Sequence, residues 1–216
     1  MKYQLVVFDW DGTLLDSAAA IVNAIQASCR DLGLAEPSDA QARHVIGLGL
    51  ADAMQHAVPS LAPERVPEMV ERYRFHYLSS DHQLVLFAGV REMLARLKEA
   101  GHILAVATGK SRLGLNRAFE HSGLGALFQA SRCADECHSK PHPQMLEELM
   151  AEFGVEAEST VMIGDTSHDL LMASNAGVDG LAVTYGAHPH DQLLVCRPKA
   201  CLHDVPELDR WLKTFA

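Results

Sequence analysis

The chain has 216 residues, 48% of them hydrophobic and 21% charged, which is the make-up of an ordinary folded protein with a core and excludes a disordered chain. Its 28 acidic against 18 basic side chains give a formal charge of −10, which argues against general affinity for nucleic acid or for anionic membranes. At about 100–200 residues per domain, this length suits one main domain carrying a modest insertion. No segment approaches the ~20 apolar residues of a membrane span, and the apolar start is too short for a signal peptide, so the expected location is the cytoplasm.

In chain order, Tyr3 to Phe8 is β-branched and aromatic and stops at Asp9, Asp11 and Gly12, which predicts a buried strand ending in a polar loop. Ile21, Val22, Ile25, Cys29 and Leu32 recur at helical spacing, with Asp16 or Ser17 as N-cap and Gly33 as stop. From Ser38 to about Ser80 the pattern is helical throughout, broken by Gly47-Leu48-Gly49 and Pro59. Pro63 there opens a helix in which Val66, Met69, Val70, Tyr73 and Tyr77 share a face.

After Phe87 the rhythm changes to alternating helices and short apolar strands. Strands are expected over Ile103 to Ala107, Thr160 to Ile163 and Gly180 to Val183, with helices between them and a last helix opened by an Asp204-x-x-Glu207 capping box. Such strands are buried on both faces, so the expected fold is α/β: a three-layer, Rossmann-like parallel sheet core with an inserted small α-helical cap domain. The expected boundaries are 1–15 and 88–216 for the core and 16–87 for the cap.

Four short motifs fall at or beside strand ends, where open α/β sheets place their ligand crevice. Asp9-Trp10-Asp11-Gly12-Thr13 offers two carboxylates two positions apart, able to present a nucleophile and a proton donor to one substrate; alone it could be a turn. Thr108-Gly109-Lys110 offers a hydroxyl and backbone N–H groups for a phosphate oxygen. Lys140-Pro141-His142-Pro143 fixes an ammonium ahead of a helix. Gly164-Asp165-Thr166-Ser167-His168-Asp169 carries acids that can face a hard cation, or cap the next helix. Trp10 is expected to be a packing residue. Cys133, Cys137 and His138 with Cys196, Cys201 and His203 lack the tight spacing of common zinc sites, and separate reduced thiols are the better reading.

Taken together and in this order, the four motifs resemble those of the haloacid dehalogenase-like hydrolase superfamily, over nearly the whole chain. The position of the helical segment resembles the type 1 cap, and Arg43-His44-Val45-Ile46-Gly47-Leu48-Gly49-Leu50 resembles phosphoglycolate phosphatase-like members. The resemblance implies a phosphatase acting on a small-molecule phosphate ester through an aspartyl-phosphate. In it Asp9 is the nucleophile, Asp11 the general acid/base, and Thr108, Gly109 and Lys140 the phosphate-binding group. It also implies Mg2+ as cofactor, held by the carboxylates of Asp9 and Asp165 and the backbone carbonyl of Asp11, with Asp169 contacting the metal or orienting its ligands. Arg43, His44, Gly47 and Gly49 are the expected substrate-selecting part of the cap. A phosphomutase shares the motifs and stays open, as does a catalytically silent binding protein on the same fold. A dehalogenase is disfavoured by the presence of Asp11 and Asp165. Neither the physiological substrate nor the oligomeric state is legible.

Overall fold

The computed structural model describes residues 2–216. Its centre is a six-stranded, fully parallel sheet in the order β3-β2-β1-β4-β5-β6. The strands are β1 (Leu5–Phe8), β2 (Ile103–Thr108), β3 (Ala130–Cys133), β4 (Thr160–Gly164), β5 (Asp179–Val183) and β6 (Ala200–Leu202). Alternate residues serve opposite faces, as the two-residue repeat of a strand dictates. Val6 and Phe8 of β1 pack with α5 (Val90–Glu99), α6 (Arg112–Ser122) and α10 (Val205–Phe215). Leu5 and Val7 pack with α7 (Gln144–Phe153) and α8 (Ser167–Asn175) on the other side. The result is the expected three-layer sandwich.

The sequence pattern missed both edge strands and α9 (His190–Val195). β3 reads Ala-Ser-Arg-Cys and only its last residue is buried, because an edge strand has one side open and carries no continuous apolar run. β6 is three residues long, too short for any periodicity.

Between β1 and β2 lie α1 (Ala18–Asp31), α2 (Asp39–His44), α3 (Leu50–Ala57) and α4 (Val66–Ser80). They enclose an apolar cluster of their own, in which Ile25, Met54 and Met69 are fully buried. The chain enters and leaves this helical insertion side by side: Asp16 N–H donates to the Val85 carbonyl at 3.0 Å and Phe87 N–H to that of Leu14 at 3.0 Å. These paired crossings tie the two ends of the insertion together. Trp10 is completely buried, its ring edge-on to Phe119 with centroids 5.3 Å apart, which is the packing role expected of it. Asp204 caps α10 through Glu207 N–H at 2.7 Å, but Glu207 accepts from His203 N–H rather than closing a reciprocal box. No described helix is long and apolar enough to cross a membrane.

Candidate active site

β1 is the strand at which the sheet order reverses, and the crevice beyond the carboxyl ends of β1, β2 and β4 is therefore the fold's natural ligand position. Asp9 follows β1, Thr108 ends β2 and Asp165 follows β4, so three of the four motifs reach one point by topology alone. Lys140, ahead of α7, completes the group. Its ammonium donates to Asp9 Oδ1 at 2.7 Å and to Asp169 Oδ1 at 2.6 Å, with all three side chains buried.

Asp165 is held by the Thr13 hydroxyl on Oδ1 at 2.8 Å and by Ala187 N–H on Oδ2 at 2.7 Å. Gly12 has φ +81, and any Cβ there would run into the Asp165 carboxylate, so both the turn and the close approach require glycine. Asp169 has a double attachment. Its Oδ2 accepts from Thr166 N–H at 3.1 Å and from the Thr166 hydroxyl at 2.7 Å, closing the capping box of α8, while Oδ1 faces Lys140. The N-cap is thus Thr166, and neither acid of the motif takes that position.

Carboxylate oxygens of Asp9, Asp165 and Asp169 all lie within 4.8 Å of one another, the single such group of potential ligands among the described residues. Burial raises the Asp9 carboxyl well above the usual carboxylate range, against the pull of Lys140 and with the push of Asp169 and Asp165. Asp165 is pushed up to about 7, first by burial and then by Asp169. Burial works against the charge of Lys140, yet Asp169 and Asp9 hold its pKa above the ordinary value. Cys133 and Cys137 lie at the β3 edge and Cys196 and Cys201 at the far side by β6, so the thiols do not converge.

Asp11 has partners outside this cluster. Its Oδ1 accepts from the Ser17 hydroxyl at 2.7 Å and its Oδ2 pairs with Lys110 Nζ at 3.0 Å. The Thr108 hydroxyl accepts from Lys110 N–H at 3.2 Å. Above them, the Gly47-Leu48-Gly49 loop is clamped down: Gly49 N–H donates to Ser139 Oγ at 2.8 Å, and a Cβ on Gly109 would collide with the Gly47 and Leu48 carbonyls. Asp9 is 1% exposed.

Arg43 and His44 do not line the cavity between insertion and sheet, which instead meets Gly47, Leu48, Tyr73 and Tyr77. The His44 ring stacks on His188 at 5.1 Å, and its carbonyl accepts from His168 Nε2 at 2.8 Å and His188 Nε2 at 3.1 Å. Ser167 N–H donates to His188 Nδ1 at 3.0 Å, which puts the proton of the neutral ring on Nε2. Far apart in sequence, these histidines gave no pattern to read. Lys110 stood in a motif yet drew no role, while the pairing of Tyr185-Gly186-Ala187-His188 with Asp165 was signalled only by its place after β5.

Burial, with His168 adding repulsion, pushes His188 down from 6.5 to about 4. The unfolded chain therefore binds a proton that the folded chain refuses between those values, and stability falls as pH drops from 6.5 toward 4. His188→Asn should flatten that part of a plot of melting temperature against pH; an unchanged slope would show that other groups set it.

The comparisons with known proteins agree with this geometry. A family model described as haloacid dehalogenase-like hydrolase matches residues 6–183. The protein named "Probable phosphatase IndB" of Dickeya dadantii (strain 3937) is 40% identical over 211 residues, covering 94% of this chain and 91% of that one. A phosphoglycolate phosphatase of Vibrio cholerae serotype O1 is 30% identical over 214 residues, covering 95% of each. The crystal structure of a predicted phosphoglycolate phosphatase from Haemophilus somnus 129pt superimposes with a TM-score of 0.87 at 26% identity, covering 100% of this chain and 99% of that one. With the sheet order and the acidic crevice, these matches show that the chain belongs to the haloacid dehalogenase-like hydrolase family and is a phosphatase of that family.

Proposed function

We propose that the protein hydrolyses a small organic phosphate monoester through a phosphorylated Asp9, with Mg2+ as cofactor. The observation that carries this reading is the state of Asp9: Oδ1 is tied to Lys140, while Oδ2 is buried without a hydrogen-bond partner. A buried orphan oxygen is costly unless a ligand uses it.

The residues fit a divalent cation. Three buried carboxyl groups share one buried ammonium, so ionising all three would leave two negative charges uncompensated without a cation, and all-oxygen donors suit a hard ion such as magnesium. The carboxylates of Asp9 and Asp165 and the carbonyl of Asp11 would hold it. Asp169, engaged by Thr166 and Lys140, would orient the set. Bound there, the ion would neutralise repulsion between the phosphate and the attacking carboxylate.

In the first step an Asp9 oxygen forms a bond to phosphorus, the bond from phosphorus to the ester oxygen breaks, and Asp11 gives that oxygen a proton. In the second, water attacks phosphorus, Asp11 takes its proton, and the bond to Asp9 breaks. Thr108, Gly109 and Lys140 would hold the transferring group, where fixed donors count most. Residues 16–87 would act as the cap on a core of 1–15 and 88–216, with Gly47 and Gly49 in the closing loop. Arg43 and His44, standing behind that loop, would influence selection through its position.

Purified protein should release inorganic phosphate from an aryl phosphate with Mg2+, lose that activity in excess chelator, and recover it poorly with Ca2+, whose looser and larger coordination misplaces the nucleophile. Full activity in chelator would refute the metal assignment, and transfer of phosphate to a second hydroxyl without release would refute hydrolysis.

A further inference from the structure

Beside Asp11 the cavity wall carries a charge that the reaction scheme does not use. Lys110 is a core residue whose side chain is 12% exposed, and its one ion-pair partner among the described residues is Asp11, at 3.0 Å. Its Nζ also donates to Tyr77 Oη at 3.1 Å and sits 4.8 Å from the centre of that ring. Tyr77 belongs to α4 in the helical insertion, and Tyr73 stacks behind it with centroids 5.6 Å apart and planes at 15°, fixing its place.

An ammonium has three N–H donors, and two are accounted for. Tyr77 Oη is used as an acceptor, so its own proton has no acceptor among the described residues. One N–H and one O–H are therefore left at a cavity of about 1120 Å³ lined by Asp11, Gly109, Lys110, Tyr73 and Tyr77. These two unused donors, one of them on an ammonium and neither group with a free acceptor of its own, make a site for an anion.

Resting on the phosphatase reading above, we propose that Lys110 and Tyr77 determine specificity by binding an anionic group, a carboxylate or a second phosphate, on the leaving part of the substrate. The site lies next to the acid that protonates the leaving oxygen, so the anion stands a few bonds from the ester. Because Lys110 comes from the core and Tyr77 from the insertion, such a group also bridges the two and favours closure over Asp9. Binding energy from the non-reacting part of the substrate then positions the reacting part.

The test uses three compounds with Mg2+: 2-phosphoglycolate, 2-hydroxyethyl phosphate, which has the same carbon skeleton with a neutral hydroxyl, and pyrophosphate. The intact enzyme should favour phosphoglycolate or pyrophosphate over hydroxyethyl phosphate by about tenfold or more in kcat/KM, the size expected for charge-assisted hydrogen bonds. Whichever is favoured identifies the anion as carboxylate or phosphate. Lys110→Met should bring the ratio close to one and Tyr77→Phe should lower it part of the way. A ratio taken within one variant cancels any change in folding or in Asp11. A ratio near one in the intact enzyme, or one that survives Lys110→Met, overturns the inference while leaving the phosphatase reading in place. Turnover of none of these compounds nor of an aryl phosphate overturns both.

Discussion

Asp9→Asn is expected to lower kcat by at least about a thousandfold while the protein stays folded, because an amide cannot form the phosphoenzyme and no other group can replace it. The folded state tolerates the change for a specific reason. Burial already penalises the ionised Asp9, so a neutral side chain of the same shape removes that penalty, and Lys140 keeps Asp169 as a partner. Melting temperature should remain within about 4 °C of the parent. Substantial residual turnover with Asn at this position would remove Asp9 from the chemistry, and collapse of the fold would make it a structural residue.

Lys140→Met is expected to differ from Asp9→Asn in stability, with both activity and stability lost. Among the described residues the ammonium is the only cation bonded to Asp9 and Asp169, and its loss leaves fully buried carboxyl groups facing one another. Removing one partner of a buried ion pair costs about 3–5 kcal/mol, which in a chain of this size lowers the melting temperature by roughly 10 °C. The sign of the pH dependence follows. With Lys140 gone, Asp9 and Asp165 lose the pull that opposes their raised pKa values and hold protons to still higher pH, and those protons relieve the repulsion. The deficit should therefore be larger at pH 8 than at pH 5. Mg2+ should restore part of the stability at pH 8 by supplying the missing positive charge, but the phosphoryl group would lack its fixed donor and kcat would stay low. A variant as stable as the parent at pH 8 without Mg2+ would show that the acids are not charged together.

What the sequence made legible follows from where its constraints are local. β1, β2, β4 and β5 are buried on both faces and so carry unbroken apolar runs, and Asp9, Thr108 and Asp165 were readable because each sits where such a run stops. β3 and β6 could not be read because edge strands need little apolar surface. The site was readable as a set of motifs but not as a set of contacts. Asp169 closes the capping box of α8 and holds Lys140 at once, a double use that joins residues 29 positions apart. His44 was expected among the substrate-selecting residues, while its carbonyl accepts from His168 and His188, more than a hundred residues away. The pairing of Lys110 with Tyr77 joins the sheet to the helical insertion, and no spacing along the chain encodes how far an insertion folds down.

The claim on which all of this depends is that the phosphoryl group passes through Asp9. Mixing enzyme with excess substrate and Mg2+, quenching in acid within milliseconds and reducing with borohydride converts a phosphorylated aspartate into homoserine, which peptide mass spectrometry locates. The account predicts homoserine at position 9 alone, absent without substrate and absent in Asp9→Asn. Steady turnover with position 9 always recovered as aspartate, or with the modification at another residue, would contradict it.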